Sequence, residues 1–199
     1  MSSKAMANLK ESLMKLPGVG EKTAARLAYH IVEMKAEDVE NLAYAIKNIK
    51  AETHSCAICF NTIDIGRDIC EICASDKRDG QTICVVKDSK DLDAIERAGF
   101  YTGKYHVTGG LISPMAGVTQ EDIKLKELVQ RVYNNDIHEV IIALEPNVEG
   151  TATAHFIAKL LKPFGVKVTK LAQGMAVGAD FSGTDSVTIA RAIENRVPI

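Results

Sequence analysis

Four of the five cysteines fall within eighteen residues, in the stretch CAICFNTIDIGRDICEIC. Cys56 and Cys59 make one CxxC pair and Cys70 and Cys73 a second, with ten residues between the pairs. Each CxxC is a tight turn that aims two thiolates at one ion, and two such turns complete an all-sulfur tetrahedron. The spacing predicts one structural Zn²⁺ per chain, with no open position for a catalytic water and with metal loss unfolding residues 54–79 locally. A redox dithiol or coincidental core cysteines are the alternatives. Cys84, inside the apolar run TICVV, reads as a buried core thiol.

A second chemical stretch is EVIIALEPNVEGTATA. Glu145 and Glu149 follow an apolar strand and precede a glycine and small residues that could open a helix, the layout of a metal-dependent phosphoryl-transfer site. Their plainer reading is a solvated strand end and a helix N-terminal acid favoured by the helix dipole. A third stretch, KLPGVGEKTAARLA, resembles a phosphate loop only superficially: Glu21 precedes Lys22 where a glycine is required, and a helix rather than a strand leads into it. A helix-hairpin-helix fits better. Gly18 and Gly20 would turn the chain, and Lys22 and Arg26, four apart on one helix face, would flank a nucleic-acid backbone without reading its sequence. An ordinary glycine turn between packed helices gives no reason for the basic pair.

The elements that must hold these residues follow from periodicity. Leu9, Leu13 and Leu16, then Ala24, Leu27, Ala28 and Ile31, recur at helical spacing on either side of the PGVG turn. A third helix, from about Ala36 to Lys50, carries Val39, Leu42, Ala43, Ile46 and Ile49 as its apolar stripe. After the cysteine segment, short apolar strands (TICVV, YHVTG, EVIIAL, VKVTKLA) alternate with helices near 90–98, 121–134 and 151–161, which predicts a mostly parallel sheet covered by helices. A last helix is expected over about 185–195. The fold class is thus α/β built from several modules, with boundaries at 1–53 (helical, DNA-binding), 54–79 (zinc module), 80–173 (α/β domain) and 174–199 (C-terminal segment and helix).

Composition narrows the functional classes. A net charge of -2 over 199 residues argues against a strongly basic nucleic-acid binder, so DNA contact has to come from a local patch or from several copies together. Five Tyr, five Phe and no Trp disfavour a single-strand binder that works by stacking bases on rings. The N-terminus MSSKAMANLKE lacks the apolar core of a secretion signal and no apolar run is long enough to span a bilayer, which predicts a cytoplasmic protein with reduced cysteines.

Taken in order, LPGVGEKTAARLA, the paired CxxC, YHVTGGLISPMAGV, EVIIALEPNVEGTATA and LLKPFGVKVTKLA resemble the bacterial RecR family over essentially the whole chain. The resemblance implies that residues 80–173 form a Toprim domain, the fold shared with topoisomerases and bacterial primases. In catalytic members of that fold a glutamate ends the first strand and a DxDxxG follows a later one, so that carboxylates converge on Mg²⁺. This sequence departs at both places: Lys87 follows TICVV, and the later slot reads EPNVEG, with Glu145 and Asn147 for the two aspartates. An ammonium repels a divalent ion and pairs with the remaining carboxylates, so no enzyme is expected. Asp88 is adjacent, but strand alternation would aim it elsewhere.

His106 and Gly109 read as strand-end packing and turn residues. The resemblance further implies a recombination mediator, nucleoid-associated, that binds single- and double-stranded DNA nonspecifically and acts with RecO and RecF to load RecA onto single strands coated by SSB. The hairpin modules would pair between subunits in a homo-oligomer, a ring tetramer or a dimer, residues 174–199 would pack between subunits, and Glu145 and Glu149 would form an acidic edge for RecO. A small Toprim nuclease or primase-like enzyme is the alternative function.

Overall fold

A computed structural model describes residues 3–198. The chain divides into two compact units, residues 1–53 and 54–199.

The first unit is helical: α1 (Lys4–Leu13), α2 (Glu21–Glu33) and α3 (Ala36–Glu52). α1 starts where the Ser3 side chain accepts from the Met6 amide at 3.2 Å, and α1 and α2 pack through the small residues Ala24 and Ala28, both fully buried. Gly18 carries φ +79, the left-handed backbone that only glycine adopts freely, so it makes the sharp bend. Gly20 does not share that role. It sits in extended backbone as the N-cap of α2. α3 buries none of its residues within this chain: Leu42, Ile46 and Ile49 are exposed along the stripe that periodicity marked for a core.

The second unit holds the cysteine segment and the sheet. β1 (Thr53–Ser55) and β2 (Thr62–Asp64) make a two-stranded sheet, followed by the short α4 (Glu71–Ala74). Four parallel strands follow, β3 (Asp79–Val86), β4 (Gly103–Val107), β5 (Glu139–Ile142) and β6 (Lys167–Lys170), in the order β4-β3-β5-β6. The connecting helices are α5 (Ser89–Ala98), α6 (Leu125–Asn134) and α7 (Val148–Leu161). The C-terminal segment ends in α8 (Ser186–Glu194).

β3 is buried on both faces. Ile83 and Val85 pack with Leu125, Leu128 and Val132 of α6 and Ile157 and Leu161 of α7, whereas Cys84 and Val86 pack with Tyr105, Val107 and Leu92 of α5. Phe60 and Ile72 from the cysteine segment complete that second layer. An Arg78–Glu96 ion pair, a Tyr105 hydroxyl donating to Glu96 at 2.6 Å and Lys104 Nζ donating to the carbonyls of Cys73 and Ser75, both at 2.9 Å, tie the segment to the sheet.

Two helix starts differ from the periodic reading. α7 begins at Val148 rather than Thr151, because the Asn147 side chain caps it by accepting from the Gly150 amide at 2.7 Å. α6 begins at Leu125 rather than Glu121. The Lys124 amide donates to the Thr108 carbonyl at 2.8 Å and the Lys124 carbonyl accepts from His106 Nε2 at 2.6 Å, so a long-range demand holds that backbone out of the helix.

Candidate functional site

Three groups of residues stand apart from the core. In the first unit, Gly20 offers α2 no side-chain cap, which leaves its first-turn amides open. Lys22 and Arg26 are both exposed on α2, and neither lies within 4 Å of a carboxylate among the described residues. The two exposed cations and the uncapped first-turn amides of α2 are groups that can meet phosphate, with Glu21 the one acidic residue of that turn.

The second group is the cysteine cluster. The Sγ atoms of Cys56, Cys59, Cys70 and Cys73 all lie within 4.8 Å of one another, and no cysteine is in a disulfide. Cys59 and Cys70 are 3.6 Å apart, against an edge of about 3.8 Å for a tetrahedron with Zn–S bonds of about 2.3 Å. The amides of Cys70 and Cys73 donate to the sulfurs of Cys56 and Cys70, both at 3.3 Å, which favours thiolate. Hydrogen bonds from Cys59 and Cys73 draw the Cys70 thiol down. A bound dication would take all four as thiolates. The donor set can hold a metal ion, and its closed sulfur tetrahedron fits zinc.

The third group lies at the ends of β3 and β5. Lys87 directly follows β3 and its Nζ forms an ion pair with Glu145 Oε1, which raises the Lys87 pKa above its ordinary value. The other oxygen of Glu145 accepts from Asn147 Nδ2 at 2.9 Å. Both oxygens of the carboxylate are therefore engaged. Asp88 is not aimed away, because β3 ends at Val86 and strand alternation no longer governs it: one oxygen caps α5 at the Asp91 amide (3.0 Å) and the other lies 3.8 Å from Lys87 Nζ. Burial pushes the Asp91 carboxyl up, and the charge of Asp88 adds to the shift. Glu149 sits half-buried in the first turn of α7, with no side-chain partner among the described residues.

Gly150 has a steric role in this group that spacing alone did not reveal. A Cβ there would stand 1.9 Å from the Glu145 carbonyl oxygen, so only glycine lets α7 close against the strand end. His106 is fully buried. A carbonyl can only accept, so its Nε2 carries the proton given to Lys124, and Nδ1 has no partner among the described residues. Burial lowers its pKa to about 4, which keeps it neutral.

Residues 6–50 match the family model of the RecR helix-hairpin-helix, and residues 81–172 match that of the Toprim domain. The chain is 46% identical over 191 residues to the Recombination protein RecR of Staphylococcus aureus strain Newman, covering 96% of each chain. The same figures hold for the protein of that name from strain USA300 / TCH1516. The chain belongs to the RecR family. As in the RecR reading of the sequence, the helix-hairpin-helix, the four-cysteine segment and the parallel Toprim sheet follow one another along the chain. Among the described residues no helix is long and apolar enough to cross a membrane.

Proposed function

We propose that this chain serves recombinational DNA repair as a nonspecific DNA-binding mediator and not as an enzyme. Membership in a family whose curated relatives are named recombination proteins supports the process. The observation that carries the DNA contact is the unpaired Lys22 and Arg26 beside the uncapped start of α2. Two cations per chain bind a polyanion weakly, so the clamp needs several copies, and linked sites raise avidity by roughly 100-fold or more. The uncovered apolar stripe on α3 and the exposed Val187 and Ile193 of α8 supply surfaces on which copies would associate, as a dimer or a ring tetramer.

RecO, and with it RecF, are the proposed partners. The edge formed by Glu145 and Glu149 would meet a basic patch on RecO, and the outcome would be RecA loading at gaps coated by SSB, in the cytoplasm near the nucleoid. The pairing of Lys87 with Glu145 supports a strand end that has exchanged a divalent ion for an ammonium, which speaks against the nuclease or primase-like alternative. The four cysteines would carry one structural zinc.

The deciding experiment compares the wild type with a Lys22→Ala, Arg26→Ala double variant in mobility shifts over a salt series, with solution mass measured alongside. DNA binding should fall by roughly 100-fold while the mass is unchanged. Unaltered shifts would reject the assignment, and Mg²⁺- or Mn²⁺-dependent nicking by the pure wild type would restore the enzymatic alternative.

A further inference from the structure

The knuckle that gathers the cysteines also reaches the strand end at Lys87. Phe60, the residue after Cys59, has φ +64 and is the one non-glycine residue with positive φ among the described residues. The turn enforces this backbone: the Phe60 amide donates to the Cys56 carbonyl at 3.0 Å, and the Cys56 amide to the Asn61 carbonyl at 2.8 Å. Held this way, the ring packs edge-on to His106 at 5.4 Å between centroids, with Lys124 Nζ 5.4 Å from its own centroid.

The same turn presents the Cys59 carbonyl to the Val107 amide at 2.8 Å. One and two residues further on, the amides of Thr108 and Gly109 donate to the carbonyls of Val86 and Lys87, both at 2.9 Å. From the other side β2 reaches the start of α5: the Thr62 amide donates to Ser89 Oγ at 2.9 Å, and that hydroxyl donates to Thr62 Oγ1 at 3.0 Å. Residues 86–89 are thus bracketed by the knuckle.

We propose that Phe60 and Thr62 are positioning residues through which the four-cysteine centre holds the Lys87–Ser89 strand end, so that metal occupancy sets the geometry of the Lys87–Glu145 pair. With the knuckle closed, the left-handed turn keeps the Phe60 ring against His106 of β4 and keeps Thr62 on Ser89. Without metal only the two hydrogen bonds at Cys56 and the packing on His106 hold Phe60 in a backbone that L residues avoid, and with the sulfurs no longer drawn together both brackets loosen. The coupling needs only the fold, so a failed RecO assignment leaves it standing. If that assignment holds, partner binding becomes sensitive to zinc.

Hydrogen–deuterium exchange on the full chain, zinc-loaded and chelator-stripped with metal content measured, tests the link. The amides of Asp91, Leu92, Thr108 and Gly109 should exchange at least about tenfold faster after stripping, the factor of one lost net hydrogen bond, while those of Lys167 and Leu171 at the far edge should not change. Phe60→Gly relieves the backbone strain and removes the ring, so it should retain one zinc per chain yet show the rise at Thr108 and Gly109, on the side the ring holds, with Asp91 and Leu92 still protected through Thr62 and Ser89. Should that variant lose its metal, Ser89→Ala, outside the knuckle, replaces it. The proposal is overturned if residues 54–79 exchange freely while the four probe amides stay protected, or if exchange rises equally at the far edge. Wild-type exchange in a zinc-replete variant overturns it too, as does a purified chain that carries no metal.

Discussion

The chain holds two gatherings of groups suited to metals, and they are built in opposite ways. In the knuckle four sulfurs lie within 4.8 Å of one another, with only one another and backbone amides as hydrogen-bond partners among the described residues. At the strand end Glu145 has both oxygens occupied, one by the Lys87 ammonium and one by the Asn147 amide, and Asn147 is itself committed to capping α7. Like-charged ligands with no internal counter-charge call for a cation, whereas a carboxylate matched to an internal cation is satisfied without one. The character of such a cluster is decided by what occupies its middle. A tally of acidic or sulfur residues along the sequence does not contain that information.

The sharpest way to break the comparison is to remove one member of the knuckle. Cys70→Ala should abolish metal binding by the cluster and melt residues 54–79, since metal binding in small zinc folds is worth on the order of 10 kcal/mol. Native mass spectrometry and circular dichroism would register both. The strand end should respond to volume before charge: in Gly150→Ala the new methyl group meets the Glu145 carbonyl, and a cost of about 3 kcal/mol should lower Tm by about 10 °C in calorimetry.

Between the two clusters lies His106, whose folded pKa of about 4 is below its ordinary value of 6.5 because of burial. The unfolded chain therefore binds the extra proton first as pH falls. This stabilisation is complete above about pH 6.5 and is lost progressively down to about pH 4, amounting to about 3 kcal/mol, since each pKa unit corresponds to about 1.4 kcal/mol. Urea unfolding of wild type and His106→Gln across that range should show the variant with the flatter profile. The smallest effect belongs to Lys87→Met. Its pair with Glu145 is partly exposed, so stability should change by less than about 1 kcal/mol in the same titration. A loss of several kcal/mol would mean that the strand end, like the knuckle, depends on its central ion.

Sequence spacing revealed the knuckle because all four ligands are local, and two CxxC turns leave little freedom in where their sulfurs go. The pairing of Lys87 with the acidic slot could be anticipated because an ammonium among carboxylates has one favourable arrangement. Periodicity also located all four strands of the parallel sheet. It failed where distant groups compete for the backbone: nothing between 119 and 125 in the sequence records that Thr108 and His106 hold Lys124 out of α6. It also hid the Arg78–Glu96–Tyr105 network, whose members come from a turn, a helix and a strand, and the left-handed Phe60, which no propensity favours. The stripe on α3 was visible as a pattern, yet a pattern names an apolar face without naming its cover.

The central place of β3 has a consequence for synthesis. Its partner β5 lies more than fifty residues downstream, so at translation rates of about 5–20 residues per second the run TICVV waits roughly 3 to 10 s, open along that edge, for its neighbour to leave the ribosome. The knuckle needs only the preceding eighteen-residue stretch. Once folded, it can offer Phe60 and Ile72 to the layer that Cys84 and Val86 share with Tyr105 and Val107 as soon as β4 has emerged, covering that layer while β5 is still being made.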